Sequence, residues 1–229
     1  MTWSYKHRSS YTNLRHGSKK TAKKKGRCNG PSIWRVEAAF NAVRQCTAAG
    51  YELTGAPDYG IAVTHPRSGF PGTQSEPAPA LCVPGGTPSP TAVLLTATSR
   101  DDKLWPEDHW AALGRELHAR GLHCLLPAGS DAERERATRI ADAIPQANLL
   151  PPSGLGELAC HLGAAHIVIG VDTGLVHLAA ALGRPTLALF SASDPALTGV
   201  LARTPAFNLG RGGQPPTLAK VIAVAAPLL

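Results

Sequence analysis

After residue 90 the apolar positions switch repeatedly between two spacings. Ala92-Val93-Leu94-Leu95 is a short unbroken apolar run, the pattern of a strand buried on both faces. Pro106 suits the first turn of a helix, and Trp110, Leu113, Gly114 and Leu117 then fall on one helical face. Gly121 interrupts that face, and Leu122-His123-Cys124-Leu125-Leu126 reads as a second strand. Ser130 and Glu133 stand at the S-x-x-E spacing of a capping box, opening a helix that carries Ala137, Ile140, Ala141 and Ile144. Leu155, Leu158, Ala159 and Leu162 mark another helix. A strand over 166–171, a helix over 174–182 and a strand over 186–190 follow. Strands alternating with helices through short connections predict a parallel sheet covered on both faces. Right-handed crossovers make this an α/β, doubly wound, Rossmann-like domain over residues 91–229.

Upstream the pattern weakens. Residues 1–31 read as a disordered basic arm. From Ser32 a helix is expected, because Ile33, Val36, Phe40 and Val43 share a face and Gly50 can stop it. Residues 32–65 are thus expected to be a helical remnant of an interdomain region. Residues 66–90 hold seven Pro, four Gly and three Ser, a linker composition, and the main domain boundary is placed there.

Charge sharpens this division. Residues 1–35 contain ten Lys/Arg and no Asp or Glu, whereas the other 194 residues contain 13 Lys/Arg and 16 Asp/Glu. The net +7 therefore belongs to the N-terminal arm. The arm reads as solvated coil; it lacks interleaved RNA-binding motifs, and no nucleic-acid partner is expected. It also lacks the apolar core of a signal peptide. Nowhere do about 18 apolar residues run uninterrupted, the length a spanning helix needs. Cys28, Cys46, Cys82, Cys124 and Cys160 are odd in number and form no C-x-x-C or Cys/His ligand pattern. Reduced thiols in a cytoplasmic protein are the expectation.

Ligands of such a sheet bind at the carboxyl ends of its strands, so three loops stand out. The first, Ala97-Thr98-Ser99-Arg100-Asp101-Asp102-Lys103, gathers two hydroxyls and two cations. Hydroxyls and an ammonium suit phosphate oxygens, and an ordinary solvated polar loop reads equally well. The second loop leads to Glu133, whose carboxylate could accept from ribose hydroxyls, although the capping box already accounts for it. The third is Gly170-Val171-Asp172-Thr173-Gly174-Leu175-Val176-His177. There a buried strand ends on Asp172, and Thr173-Gly174 turn the chain into a helix. Gly174 allows close approach to the backbone, and helix-end N–H groups favour an anion such as a diphosphate. His177 falls in the first turn and can face the same cleft. A simple N-cap also explains Asp172-Thr173.

The stretches "TATSRDDKLWPEDHWAAL", "LLPAGSDAERERATRIA" and "IVIGVDTGLVHLAAALGRPTLALFSASDP" resemble the donor domain of lipopolysaccharide heptosyltransferases, ADP-heptose-using glycosyltransferases, the type I enzymes above all. The resemblance covers residues 91–229 and extends weakly through "IWRVEAAFNAVRQCTAAGYEL". It implies the C-terminal half of a two-domain GT-B enzyme, with one Rossmann-like domain for the ADP-sugar and another for the lipid acceptor. The implied reaction moves heptose from ADP-heptose to a Kdo-lipid acceptor, with inversion, in the cytoplasm at the inner face of the inner membrane, where peripheral contact is expected. Residue by residue it implies that Thr98, Ser99 and Lys103 hold the diphosphate and that Glu133 meets the adenosine ribose. Asp172, Thr173, Gly174 and His177 would line the phosphate and heptose end. No cofactor is implied, and no Asp-x-Asp or His/Cys cluster suggests a metal.

The sequence departs from the family at its start. Residues 1–31 show no strand, glycine loop and helix opening, and no acid precedes Glu37. The carboxylate base that the family carries in its N-terminal domain has no counterpart here, so no catalytic residue is assigned. Two readings stay open: the donor half of a heptosyltransferase, and a nucleotide-sugar-binding module that does not transfer. A hydrolase built on Asp172, His177 and Ser191 or Ser193 is disfavoured, because no G-x-S-x-G elbow is present. General-base assistance typically contributes about 10²–10⁴-fold. The 229-residue chain alone is therefore expected to transfer heptose poorly, checked by an ADP-release assay with a Kdo-lipid acceptor, with and without an added N-terminal domain. Full-rate transfer by the chain alone would place the base within this sequence.

Overall fold

The computed structural model describes residues 90–229. The expected basic arm, the helix from Ser32 and nearly all of the Pro/Gly-rich linker lie outside the described residues. Six strands run through the described part: β1 (Thr91–Leu95), β2 (His123–Leu126), β3 (Asn148–Leu149), β4 (Ile167–Val171), β5 (Thr186–Phe190) and β6 (Ala206–Gly210). They form one sheet in the order β3-β2-β1-β4-β5-β6, with every pairing parallel. Between them lie α1 (Glu107–Ala119), α2 (Asp131–Asp142), α3 (Leu155–Ala164), α4 (Gly174–Ala181) and the short α5 (Pro195–Thr198), and α6 (Leu218–Ala225) follows β6. This is the doubly wound α/β architecture the alternating pattern predicts.

The period-two alternation of each strand sorts its side chains onto two cores. Ala92, Leu94, Ile167, Ile169, Leu187 and Leu189 pack on one face with Trp110, Leu113 and Leu117 of α1, Ile140 of α2 and Val221 of α6. Val93, Leu95, Val168, Ala188 and Phe190 pack on the other with Ala159 and Leu162 of α3 and the apolar residues of α4. Both faces are covered, which explains the unbroken apolar runs of the central strands.

Local signals act where expected. Pro106 occupies the N-cap of α1, one position before the first turn. Gly121 ends the following turn at φ 85°, and Gly183 ends α4 at φ 75°. The capping box of α2 is complete: Ser130 Oγ accepts from Glu133 N at 3.3 Å, and Glu133 Oε2 accepts from Ser130 N at 3.1 Å. Such a cap is worth about 1 kcal/mol. Cys124 and Cys160 are free thiols, and burial pushes the Cys124 thiol up to about 12.

The hydrophobic pattern does not reveal β3, β6, α5 or α6. β3 has two residues. β6 is an edge strand in which only Leu209 is buried and Phe207 is 38% exposed, so its apolar signal is thin. Its place is held by pairing with β5 and by Asn208, which accepts from Val200 N at 2.7 Å and donates to Val200 O at 3.0 Å.

The strand order creates the site. From β1 the chain moves outward to β2 and β3, then returns to lay β4 on the other side of β1. The connection after β1 leads to α1 on one face, and the connection after β4 leads to α4 on the opposite face. Where successive connections diverge in this way, open α/β sheets place their crevice, here at the carboxyl ends of β1 and β4. Gly170 lets α4 sit close beside it. A Cβ there would lie 2.7 Å from Leu95 Cβ and 2.6 Å from Val176 Cγ1. Overpacking a filled core typically costs about 1–3 kcal/mol. Gly170→Ala should lower stability by that amount, seen as a reduced midpoint in urea unfolding of the 229-residue chain with an unchanged slope.

Candidate functional site

The crevice is bridged by one carboxylate. Asp172 directly follows β4, and its N–H donates to Leu189 O at 3.1 Å, which continues the sheet ladder by one residue. That bond fixes the backbone, so the side chain leaves the sheet edge at a defined place. Asp172 is 5% exposed. Its Oδ2 accepts from Lys103 Nζ at 2.8 Å, across the crevice, and from the Ser193 hydroxyl of the loop after β5. Its backbone carbonyl accepts from Thr98 Oγ1 at 3.4 Å. Three loops, after β1, β4 and β5, thus meet at one residue.

Lys103 reaches this position because its loop tightens. Asp101–Lys103 form a 3₁₀ turn closed by Lys103 N to Arg100 O at 3.1 Å and Leu104 N to Asp101 O at 3.0 Å. The Lys103 side chain is 19% exposed and ion-paired, which overrules the solvated alternative for this residue. Arg100 instead pairs with Asp102 at the surface, where Arg100 Nε donates to Asp102 Oδ1 at 3.0 Å. Ser99 is exposed.

Behind Lys103 the loop is anchored by Trp105, which is 1% exposed. Its indole N–H donates to Pro216 O at 2.8 Å, and its ring meets Trp110 edge-on at 5.1 Å. The first bond ties the β1 loop to the connection between β6 and α6. The Trp105 carbonyl accepts from Arg136 Nη2 at 2.6 Å, and Arg136 Nη1 also donates to Glu107 Oε1 at 2.8 Å. Arg139 completes the cluster, with Nη2 2.9 Å from Glu107 Oε1. Hydrogen bonding from Arg139 and the Arg136 charge hold the Glu107 carboxyl below the usual carboxylate range, against partial burial.

At the start of α4, Thr173 occupies the N-cap with an extended backbone, φ −146° and ψ 157°, but its side chain makes no capping hydrogen bond. A side-chain cap therefore does not account for Asp172-Thr173. Gly174 opens the helix and His177, in its fourth position, is 9% exposed. The helix end faces its partial positive charge toward the sheet edge that holds Lys103.

Glu133 stands apart from this junction. Its Oε2 is engaged by Gly129 N at 2.8 Å and Ser130 N at 3.1 Å, and its Oε1 has no partner among the described residues. The capping role is realised through Oε2 alone among the described residues.

The sequence offers Ser193 only within the disfavoured hydrolase alternative, and it does not point to Pro216 or the Gly-rich turn after β6 as supports of the site. Gly213 N donates to Ser191 O at 2.8 Å, locking that turn onto the loop after β5. The signal for Ser193 is its position, three residues beyond a buried strand at the same sheet edge. Its hydroxyl donates directly to the Asp172 carboxylate, with no imidazole between them, unlike the relay that a serine hydrolase requires. Among the described residues no group of three or more His, Cys, Asp or Glu could hold a metal ion, and no helix is long and apolar enough to cross a membrane.

The sequence pattern of glycosyltransferase family 9 (heptosyltransferase) matches residues 3–220. The chain belongs to this family. The match includes the stretches read as arm and linker. Lipopolysaccharide heptosyltransferase 1 of Escherichia coli K12 is 43% identical over 124 residues, 52% of this chain and 39% of that protein. The Pseudomonas aeruginosa PAO1 protein of the same name is 44% identical over 116 residues, 51% of this chain and 33% of that protein. An E. coli heptosyltransferase solved with ADP is 31% identical, with a TM-score of 0.58 over 82% of this chain and 54% of that one. The matches thus span about a third to a half of these relatives' length. The resemblance carried by the D-T-G-x-x-H stretch and the two upstream loops is thereby borne out at the level of family and fold.

Glu107 supplies a test of the scaffold behind Lys103. A carboxyl whose folded pKa is depressed contributes stability above its unfolded pKa and loses it as pH falls through the folded value. Glu107→Gln should therefore lower the melting temperature at pH 7. The difference from the parent chain should shrink once the pH drops below about 4, where the unfolded carboxyl is already protonated. An equal deficit at every pH would assign the effect to shape, not charge.

Proposed function

We propose that this chain forms the donor side of a glycosyltransferase of lipopolysaccharide inner-core synthesis, which moves heptose from ADP-heptose to a Kdo-lipid acceptor. The observation that carries this reading is the switch point of the sheet, where Lys103 pairs with Asp172 and the helix that opens two residues later, at Gly174, has no side-chain cap. An ammonium, nearby hydroxyls and helix-end N–H groups together suit a diphosphate. The family membership and the likeness to a heptosyltransferase solved with ADP support the same reading.

In this proposal the diphosphate lies over the ends of β1 and β4, contacted by Lys103, Thr98, Ser99 and the amides of Thr173 and Gly174. Glu133 offers Oε1 to the ribose, and His177 serves the heptose end. As the glycosidic bond to ADP breaks, negative charge grows on the leaving diphosphate. Donors already fixed around it stabilise that charge without reorganising, and no metal or cofactor is invoked. Asp172 is not the base: its Oδ2 is held by Lys103 and Ser193, on the donor side. The acceptor-side base is assigned to the family's other domain. The proposed lipid acceptor would bring the reaction to a membrane surface, and the inner face of the inner membrane is the location this reading implies.

Calorimetry with the 229-residue chain should show saturable ADP binding that persists in a chelator. No binding heat and no thermal shift at millimolar ADP would remove the donor reading. Lys103→Gln keeps an amide donor that can hydrogen-bond Asp172 while removing the counter-charge, so ADP binding is measured on a variant shown to be folded by its melting transition. It should cost about 1.5–3 kcal/mol of ADP binding and leave adenosine binding nearly unchanged. Equal losses for both ligands would place Lys103 away from the diphosphate.

A further inference from the structure

The Ser193 hydroxyl and the Lys103 ammonium share one acceptor, Asp172 Oδ2. Within the donor reading this creates a conflict. A diphosphate needs Lys103, yet Asp172 is only 5% exposed, and a buried carboxylate that loses its donors is costly. If Lys103 were the sole donor, each phosphate contact would be gained against the carboxylate left behind. The carboxylate would also repel the ligand.

We propose that Ser193 is a positioning residue that resolves this conflict. It holds Asp172 Oδ2 while Lys103 turns part of its hydrogen-bonding capacity to the diphosphate. An ammonium has three N–H donors, so Lys103 can serve both once Asp172 does not depend on it alone. Ser193 need not touch the donor; it acts through Asp172 and Lys103.

The surroundings of Ser193 are those of a fixed support. On one side Ser191 O accepts from Gly213 N at 2.8 Å. Gly213 has φ 71°, a conformation that glycine adopts without strain. On the other side Asp194 caps α5, its Oδ1 accepting from Ala196 N at 2.8 Å. The backbone is thus held within two residues on either side. Ser193 is half-buried, with its hydroxyl committed to the carboxylate.

This inference rests on the donor reading, and the test separates the two. ADP and adenosine affinities are measured by calorimetry for the 229-residue chain, for Ser193→Ala and Ser193→Thr, and for both in the Lys103→Gln background. Ser193→Ala should weaken ADP about tenfold while adenosine stays within about twofold. Ser193→Thr, which keeps the hydroxyl, should restore ADP affinity. With Lys103→Gln already present, Ser193→Ala should add less than about threefold, because both act on one contact. Should Ser193→Ala not fold, Ser193→Cys keeps the volume with a much weaker donor and is read the same way. Unchanged ADP affinity, equal losses of ADP and adenosine, or full additivity with Lys103→Gln would each overturn the role of Ser193 and leave the donor reading standing. Absence of ADP binding by the parent chain would overturn both.

Discussion

The Asp172 carboxylate is the constraint on which the site depends. A parallel sheet of this order opens its crevice where the connections after β1 and β4 depart to opposite faces. Such an opening would be a weakly organised gap if its two loops were independent. Here a carboxylate at 5% exposure draws Lys103 from one side and Ser193 from the next loop. Removing one partner of a buried pair typically costs about 3–5 kcal/mol, because the other charge is left without compensation. The pair therefore sets loop positions firmly, whatever its net contribution to folding.

Around that centre, a second set of contacts makes the carboxyl edge one body. Trp105 ties the β1 loop to Pro216, and Gly213 ties the turn after β6 to the loop after β5. The Glu107, Arg136 and Arg139 cluster then fixes the start of α1 against α2. A binding site gains from such support because fixed donors pay no ordering entropy when a ligand arrives. For the proposed donor role, this network supplies a physical reason for the crevice to suit a charged diphosphate.

The first of the three loops shows how tertiary context changes the meaning of a residue. Arg100 and Lys103 look alike in sequence, two cations on a polar loop. In the fold, Arg100 finds Asp102 two residues away and stays at the surface, whereas Lys103 finds Asp172 69 residues away and becomes largely buried. Glu133 shows the opposite case. Its capping role was legible from the spacing to Ser130 alone, since the interaction is local.

What the sequence determined by itself follows from short-range physics. Buried strands read as unbroken apolar runs, α1 and α3 as helical spacing, the start of α2 as a capping box, and the ends of helices as glycines at positive φ. Together these specified a doubly wound α/β domain and the three loops at its carboxyl edge. The structure alone decided what depends on strand order. Edge strand β6 carries little apolar signal, because only Leu209 is buried, and it exists through pairing with β5. Ser193 reaches Asp172 across 21 residues and Trp105 reaches Pro216 across 111, distances over which no local pattern carries information. The pairing of β4 beside β1 brings Asp172 to Lys103, because strand neighbours are selected by burial of whole faces and not by any residue in the loops they bring together.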